Sequence, residues 1–281
     1  KLGVRVAWAV ADHRWVEDAD GAAVRVALTV LALNPGSATL VEVDDEARVV
    51  RQRVVSGLNA DLSAHADVAT AGAMVLHAND GLSFAGFQLF GAGFVLDATE
   101  AEHLLAVDTR HADIVKPYLN GRDLTARGRG AYVIDFAIRS EAEARQYPVL
   151  YGLVRDRVKP ERDANRREAL ATAWWRFGYP RKELRESLDG LRRFIATVET
   201  AKHRFFAFLD ASVAHDNMLT VVASSESFAL GVLSSSIHVC WVLAAGGTLE
   251  DRPRYNKTLC FDPFPFPDPP PALRAEIGEV A

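Results

Sequence analysis

Residues 22–33, AAVRVALTVLAL, form a β-branched apolar run closed by Asn34-Pro35-Gly36, and residues 4–10 form a shorter run of the same kind. Both read as strands of a sheet buried on at least one face, with the acidic stretch 12–21 as the loop of an antiparallel pair. Residues 39–55 alternate weakly and add a further strand region. Beyond them the pattern changes, and a boundary is expected near residues 70–82. Gly81, Gly86, Gly91 and Gly93 break residues 82–96 into turns, and residues 262–271, DPFPFPDPPP, are too proline-dense for any regular element.

Between these punctuated segments lie helix signals. Thr99 is a cap candidate ahead of Glu100 and Glu102, and Ser140 opens a second helix. Leu150, Leu153, Val154 and Val158 form an apolar stripe that Pro160 is expected to stop. Residues 173–181, AWWRFGYPR, read as a rigid loop. Residues 132–137, 204–209 and 218–222 read as strands, and 228–245 as a helix broken at Ser234-Ser235-Ser236. A last helix starts near residue 271. The fold class expected is mixed α/β.

The composition, 49% hydrophobic and 25% charged, excludes a disordered or fibrous chain. No run of eighteen apolar residues occurs, so no membrane partner is expected. Two cysteines, Cys240 and Cys260, cannot make a disulfide framework or a four-ligand zinc site, which fits a reducing cytoplasm. The formal net charge of −5 hides an asymmetry. Residues 1–109 carry 7 Lys and Arg against 15 Asp and Glu, residues 110–210 carry 21 against 14, and residues 211–281 carry 4 against 8. A basic middle third suits a polyanion, because binding follows the local field; a solvated arginine-rich helix face would read the same way.

The usual catalytic signatures are missing: no phosphate-binding P-loop, no zinc-protease helix, no nucleophile elbow. Gly91-Ala92-Gly93 has two glycines of a dinucleotide fingerprint but not the third. Asn34-Pro35-Gly36 lacks the second proline and the aromatic of an adenine-holding loop; a turn between strands explains it. Asp123 and His238 are the residues a stand-alone hydrolase could use, without a convergent triad. His238 on an apolar stretch reads first as a core histidine, and Cys240 as a small buried hydrophobe.

Several segments, in order, carry a family resemblance. Residues 115–124, VKPYLNGRDL, resemble a segment of the target recognition domains of adenine-specific DNA methyltransferases. Residues 132–136 (YVIDF), Trp175-Arg176-Phe177-Gly178 with Pro180-Arg181, residues 231–241 (GVLSSSIHVCW), Arg254-Tyr255 and residues 261–267 (FDPFPFP) complete the set. The combination resembles the MmeI-like, type IIL restriction–modification enzymes. Residues 1–33 are similar to the last strands of their catalytic domain.

The resemblance implies the end of a methyltransferase sheet with a connector over residues 1–75. An α+β target recognition domain follows over 76–270, then the start of a C-terminal helix over 271–281. It also implies double-stranded DNA and the rest of a parent methyltransferase chain as partners, and S-adenosylmethionine as the parent's cofactor. The cofactor and adenine-holding motifs are not in this sequence, so the chain reads as a piece of a longer one. It is expected to have no catalytic residue, to bind no cofactor and to be inactive by itself. A protein-interaction module of a phage-defence complex is the rival reading.

The residue chemistry suggests where DNA would be met. Lys116, Arg122, Arg127 and Arg129 cluster in KPYLNGRDLTARGRG and are phosphate candidates, although Arg122 could instead form an ion pair with Asp123. Lys202 and Arg204 at a turn are further phosphate candidates. Trp174 and Trp175 either stack on bases or anchor a loop. Glu250 and Arg252, two apart in an extended stretch, could address a G·C pair together or form a surface ion pair. Asp251 and Arg254 stand beside them as second candidates.

Overall fold

The computed structural model describes residues 3–15, 24–59, 62–64, 75–249 and 252–281. Two units divide at Met74/Val75. In the first, β1 (Arg5–Trp15) pairs antiparallel with β2 (Val24–Ala32) and parallel with β3 (Ala38–Val43), which in turn pairs antiparallel with β4 (Val49–Val55). The strand order is β2-β1-β3-β4. Ala9, Val10, Ala38, Leu40 and Val41 are buried at its centre. The edge strands differ from expectation: Val24, Leu28, Val30 and Leu31 on β2 are exposed, as are Val49, Val50 and Val54 on β4. An edge strand has one neighbour, and nothing among the described residues of this unit covers the faces of β2.

The second unit holds two four-stranded sheets. One has the order β10-β9-β12-β5, antiparallel throughout, from β5 (Ser83–Ala85), β9 (Arg193–Val198), β10 (Ala207–Asp210) and β12 (Leu219–Val222). The other has the order β11-β7-β8-β6, from β6 (Val95–Leu96), β7 (Val115–Leu119), β8 (Tyr132–Ile134) and β11 (Ala214–His215). A hairpin of β13 (Thr248–Leu249) and β14 (Arg252–Pro253) follows. The main core joins Phe94, Ile134, Phe136, Leu150, Val154 and Phe194, and a second cluster joins Ile195, Phe206, Leu233, Val242, Tyr255 and Phe261.

Local chemistry sets several boundaries differently from the sequence reading. Asp97, not Thr99, caps helix Ala98–Val107, accepting from the Glu100 N–H at 2.8 Å. Ser140 and Glu143 make a capping box on a one-turn helix, Glu141–Ala144. The apolar stripe belongs to a separate helix, Pro148–Asp163, which continues through Pro160 for three residues. Its last buried residue is Arg162, whose guanidinium donates to the carbonyls of Phe90 (2.8 Å), Leu89 (2.6 Å), Arg176 (3.2 Å) and Leu170 (3.4 Å). One side chain therefore ties two loops and the short helix Glu168–Thr172 to the helix end. Helices Ser227–Ser234 and Ser236–Ala245 break at Ser235 and bend by 58°. Among the described residues no single helix is long and apolar enough to cross a membrane. Pro271–Glu279 is the last helix.

The proline-dense segment is held by a buried asparagine. The Asn79 amide donates to the carbonyls of Phe261 (3.1 Å), Asp262 (3.0 Å) and Phe264 (2.8 Å). A segment that cannot supply its own ladder gives its carbonyls to a side chain instead.

Candidate nucleic-acid interface

The VKPYLNGRDL segment builds one wall of a cleft. Asn120 follows β7 and caps helix Gly121–Thr125, accepting from Arg122 N–H (2.9 Å) and Asp123 N–H (3.2 Å). Asp123 closes the capping box on the Asn120 N–H at 2.8 Å. The same carboxylate accepts from Arg129, through its backbone N–H (3.0 Å), Nε (2.9 Å) and Nη2 (2.7 Å). Only 1% of the Asp123 side chain is exposed. These donors, led by the Arg129 guanidinium, hold its pKa down to about 2. Tyr118 donates to Asp216 at 2.9 Å, and burial pushes the Tyr118 phenol up. Thus Tyr118, Asn120, Asp123 and Arg129 form the frame of the loop, while Arg122 and Arg127 are exposed. Asp123 pairs with Arg129 and not with the adjacent Arg122, because Arg122 lies on the solvent side of the capped turn. This takes Arg129 out of the set of uncommitted phosphate donors.

Gly121 lets this wall approach the next. A Cβ there would lie 3.0 Å from Val198 Cγ1 at the end of β9. Val198, Ala201 and Leu219 form a small core with Leu119, Leu124 and Phe205. Above it opens a cleft of about 570 Å3 lined by Leu124, Thr125, Thr200, Lys202, His203 and Arg252, with Ala201 and Phe205. Among the described residues, those of its lining that carry charge are basic. Lys202 and Arg252 thus come together from a turn and a hairpin 50 residues apart, beside the helix that carries Arg122. Arg254 is next to them and is committed to Glu199, with Nε 2.7 Å and Nη2 2.5 Å from Oε1. Glu250 and Asp251 lie outside the described residues.

Four other candidates are placed elsewhere. Lys116 donates to the Ala112 carbonyl at 2.8 Å and lines a separate cleft of about 240 Å3 with Asp135, Arg185 and His215. Arg204 is half-buried and turned inward onto carbonyls, so it is not a phosphate contact. Trp174 and Trp175 are buried in the main core, and Trp175 Nε1 donates to the Arg139 carbonyl at 3.0 Å. They anchor the loop and offer no face to a base. His238 is buried among Phe206, Tyr255 and Phe264, with Nε2 3.2 Å from the Tyr255 hydroxyl. Burial lowers its pKa to about 4. A saturated Asp123 and a core His238 leave the hydrolase reading without its two residues. Cys240 is exposed, correcting the expectation of a buried thiol, and Cys260 is buried; neither is in a disulfide.

Sequence reasoning missed Glu199, Thr200 and Thr125. The signal for the first two was available: RFIATV, which forms β9, is β-branched and ends abruptly in polar residues.

Three comparisons bear on this arrangement. A family model described as the target recognition domain of MmeI matches residues 77–268. DNA methyltransferase A of Bacillus subtilis (strain 168) is 31% identical over 84 residues, which is 29% of this chain and 10% of that protein. A solved structure of the type IIL restriction-modification enzyme MmeI in complex with DNA has the same fold. Its TM-score is 0.73 at 19% identity, covering 99% of this chain and 37% of that one. The chain spans well under half the length of either relative.

Proposed function

The chain belongs to the MmeI target recognition domain family, and from that membership we propose that it reads DNA sequence for a restriction–modification methyltransferase. The observation that carries this reading is the cleft between helix Gly121–Thr125, the turn at 200–205 and β14, with an apolar floor and, among the described residues, Lys202, His203 and Arg252 in its lining. Lys202 with Arg122 and Arg127 meets phosphates, and Arg252, with Glu250 and Asp251 beside it in sequence, reads base edges, while Arg254 is held beside it by Glu199. Phosphate contacts position a protein on the duplex, whereas base edges carry the sequence. The partner is double-stranded DNA.

The parent's reaction is methyl transfer to the exocyclic amino group of adenine, from S-adenosylmethionine bound outside this chain. An enzyme of this class flips its target base from the duplex, and the recognition part holds the distorted DNA meanwhile. The exposed apolar strands β2 and β4 supply a face for the rest of the parent chain. The free thiols suit the cytoplasm.

Binding to a random-sequence duplex, measured by fluorescence anisotropy over a salt series, tests the reading. Lys202→Ala is expected to flatten the slope of log affinity against log salt by about 0.9, the value for one phosphate contact. An unchanged slope in a Lys202→Ala, Arg122→Ala, Arg127→Ala triple variant would place the DNA surface elsewhere.

A further inference from the structure

Arg204 occupies a position that neither a phosphate contact nor a simple core residue explains. Its Nη1 donates to the Val198 carbonyl and to Thr197 Oγ1 at 3.0 Å. Its Nη2 donates to the carbonyls of Pro253 at 3.0 Å and Glu199 at 3.4 Å. The guanidinium lies 5.3 Å from the Tyr255 ring centre. Among the described residues none of its partners is a carboxylate, and burial pulls its pKa below the usual arginine value. Nε is shielded and unpaired. A cation is seldom shielded this way without an anion, so its retention asks for a reason beyond packing.

The acceptors it grips supply the reason. Thr197 and Val198 close β9, Glu199 follows it, and Pro253 sits between Arg252 and Arg254. These two backbones already meet at a bridge between Thr200 and Arg254, with Tyr255 N–H donating to the Glu199 carbonyl at 2.6 Å and Ala201 N–H to the Pro253 carbonyl at 3.4 Å. Arg204 spans the same junction from beneath. It therefore fixes the backbone under Glu199 and under both Arg252 and Arg254 with one rigid group. A planar fork of donors reaches acceptors on two strands at once, which an ammonium on a flexible stem does not.

We propose that Arg204 is a positioning residue that sets the spacing and register of the base-reading hairpin segment against the end of β9 without touching DNA. This rests on the DNA-reading function proposed above and adds to it a residue that determines specificity from behind. Sequence discrimination falls off with small misplacement of a base-reading arginine, because bidentate contacts need fixed geometry, whereas phosphate attraction tolerates it.

The test uses the full chain and a pool of duplexes randomised in sequence, with bound duplexes sequenced. Arg204→Lys keeps the charge and loses the fork. It is expected to bind random duplex with an unchanged salt slope. Its discrimination between the selected site and single-base variants of that site should drop at least ten-fold. A wild-type chain that selects no sequence overturns the DNA-reading function itself. A wild-type chain that selects a site which Arg204→Lys keeps with undiminished discrimination overturns only the role of Arg204. A slope that flattens by about 0.9 in Arg204→Gln, which removes the charge, also overturns it, since that marks a direct phosphate contact. Should Arg204→Lys melt below the binding temperature, Thr197→Val carries the decision. It is isosteric, removes one of the four acceptors, and is expected to lose about three-fold discrimination; no loss overturns the proposal.

Discussion

The Asp123 carboxylate accepts from the Asn120 backbone and from both the backbone and the guanidinium of Arg129, and this decides which cations of its loop are available to a ligand. Arg129→Ala leaves a shielded carboxylate with only its two backbone donors. It is expected to cost about 2 kcal/mol, less than the roughly 3–5 kcal/mol for a fully buried pair, because Arg129 itself is 45% exposed. Arg127→Ala, two residues away on an exposed position, is expected to leave the thermal midpoint unchanged and to flatten the salt slope of duplex binding. Calorimetry and anisotropy on the two variants check the division; equal melting points would refute it. The sequence made the loop legible as a cationic, glycine-rich segment, but not the division of labour within it. Choosing between Arg122 and Arg129 as the partner of Asp123 depends on where the capped turn points each side chain. The same limit applies to Trp174 and Trp175, whose composition suits a stacking platform or a core anchor equally until burial is known.

At the scale of elements, strands with strong β-branched patterns were legible, and those whose existence depends on tertiary partners were less so. Strand β9 is central in its sheet, between β10 and β12, and was overlooked although its residues are β-formers. The hairpin β13–β14 is two residues a side, too short for any periodicity to register. Pro160 was expected to end its helix and does not; the ring removes one N–H, while Val158 and Arg162 on either side remain buried and hold the last turn. The approach of helix Gly121–Thr125 to β9 was also hidden, since a glycine in a turn motif does not announce what it faces. Gly121→Ala would push its Cβ against Val198 Cγ1 at 3.0 Å. The expected destabilisation is about 1 kcal/mol, in the range for mild overpacking. Val198→Ala should itself be destabilising, through the cavity it leaves under the cleft. In the double variant the two costs should fall short of their sum by at least 0.5 kcal/mol, the coupling expected of residues in contact. Additivity in chemical denaturation would mean that helix and strand do not press on each other there.

For the molecule as a whole, pH separates the framework of the cationic loop from the core. His215 is 1% exposed, stacked on Phe87 at 4.6 Å, and its pKa is lowered to about 4 by burial, as is that of His238. A histidine whose folded pKa lies below its unfolded value, about 6.5, contributes stability above that value. The contribution is lost as pH falls, because the unfolded chain takes the proton first and the folded core resists it. Two such histidines should make the chain lose stability from about pH 6.5 down to about 4. Asp123 acts in a lower window, between the ordinary carboxylate pKa near 4 and its folded value of about 2, where protonation removes the clamp on Arg129. Denaturant midpoints measured from pH 7 to about pH 2 should therefore fall in two stages. His238→Phe should shrink the first stage by up to half and leave the second intact, while Asp123→Asn should do the reverse from a lower starting stability. A first stage of full size in a His215→Phe, His238→Phe double variant that still folds would show that other groups drive it.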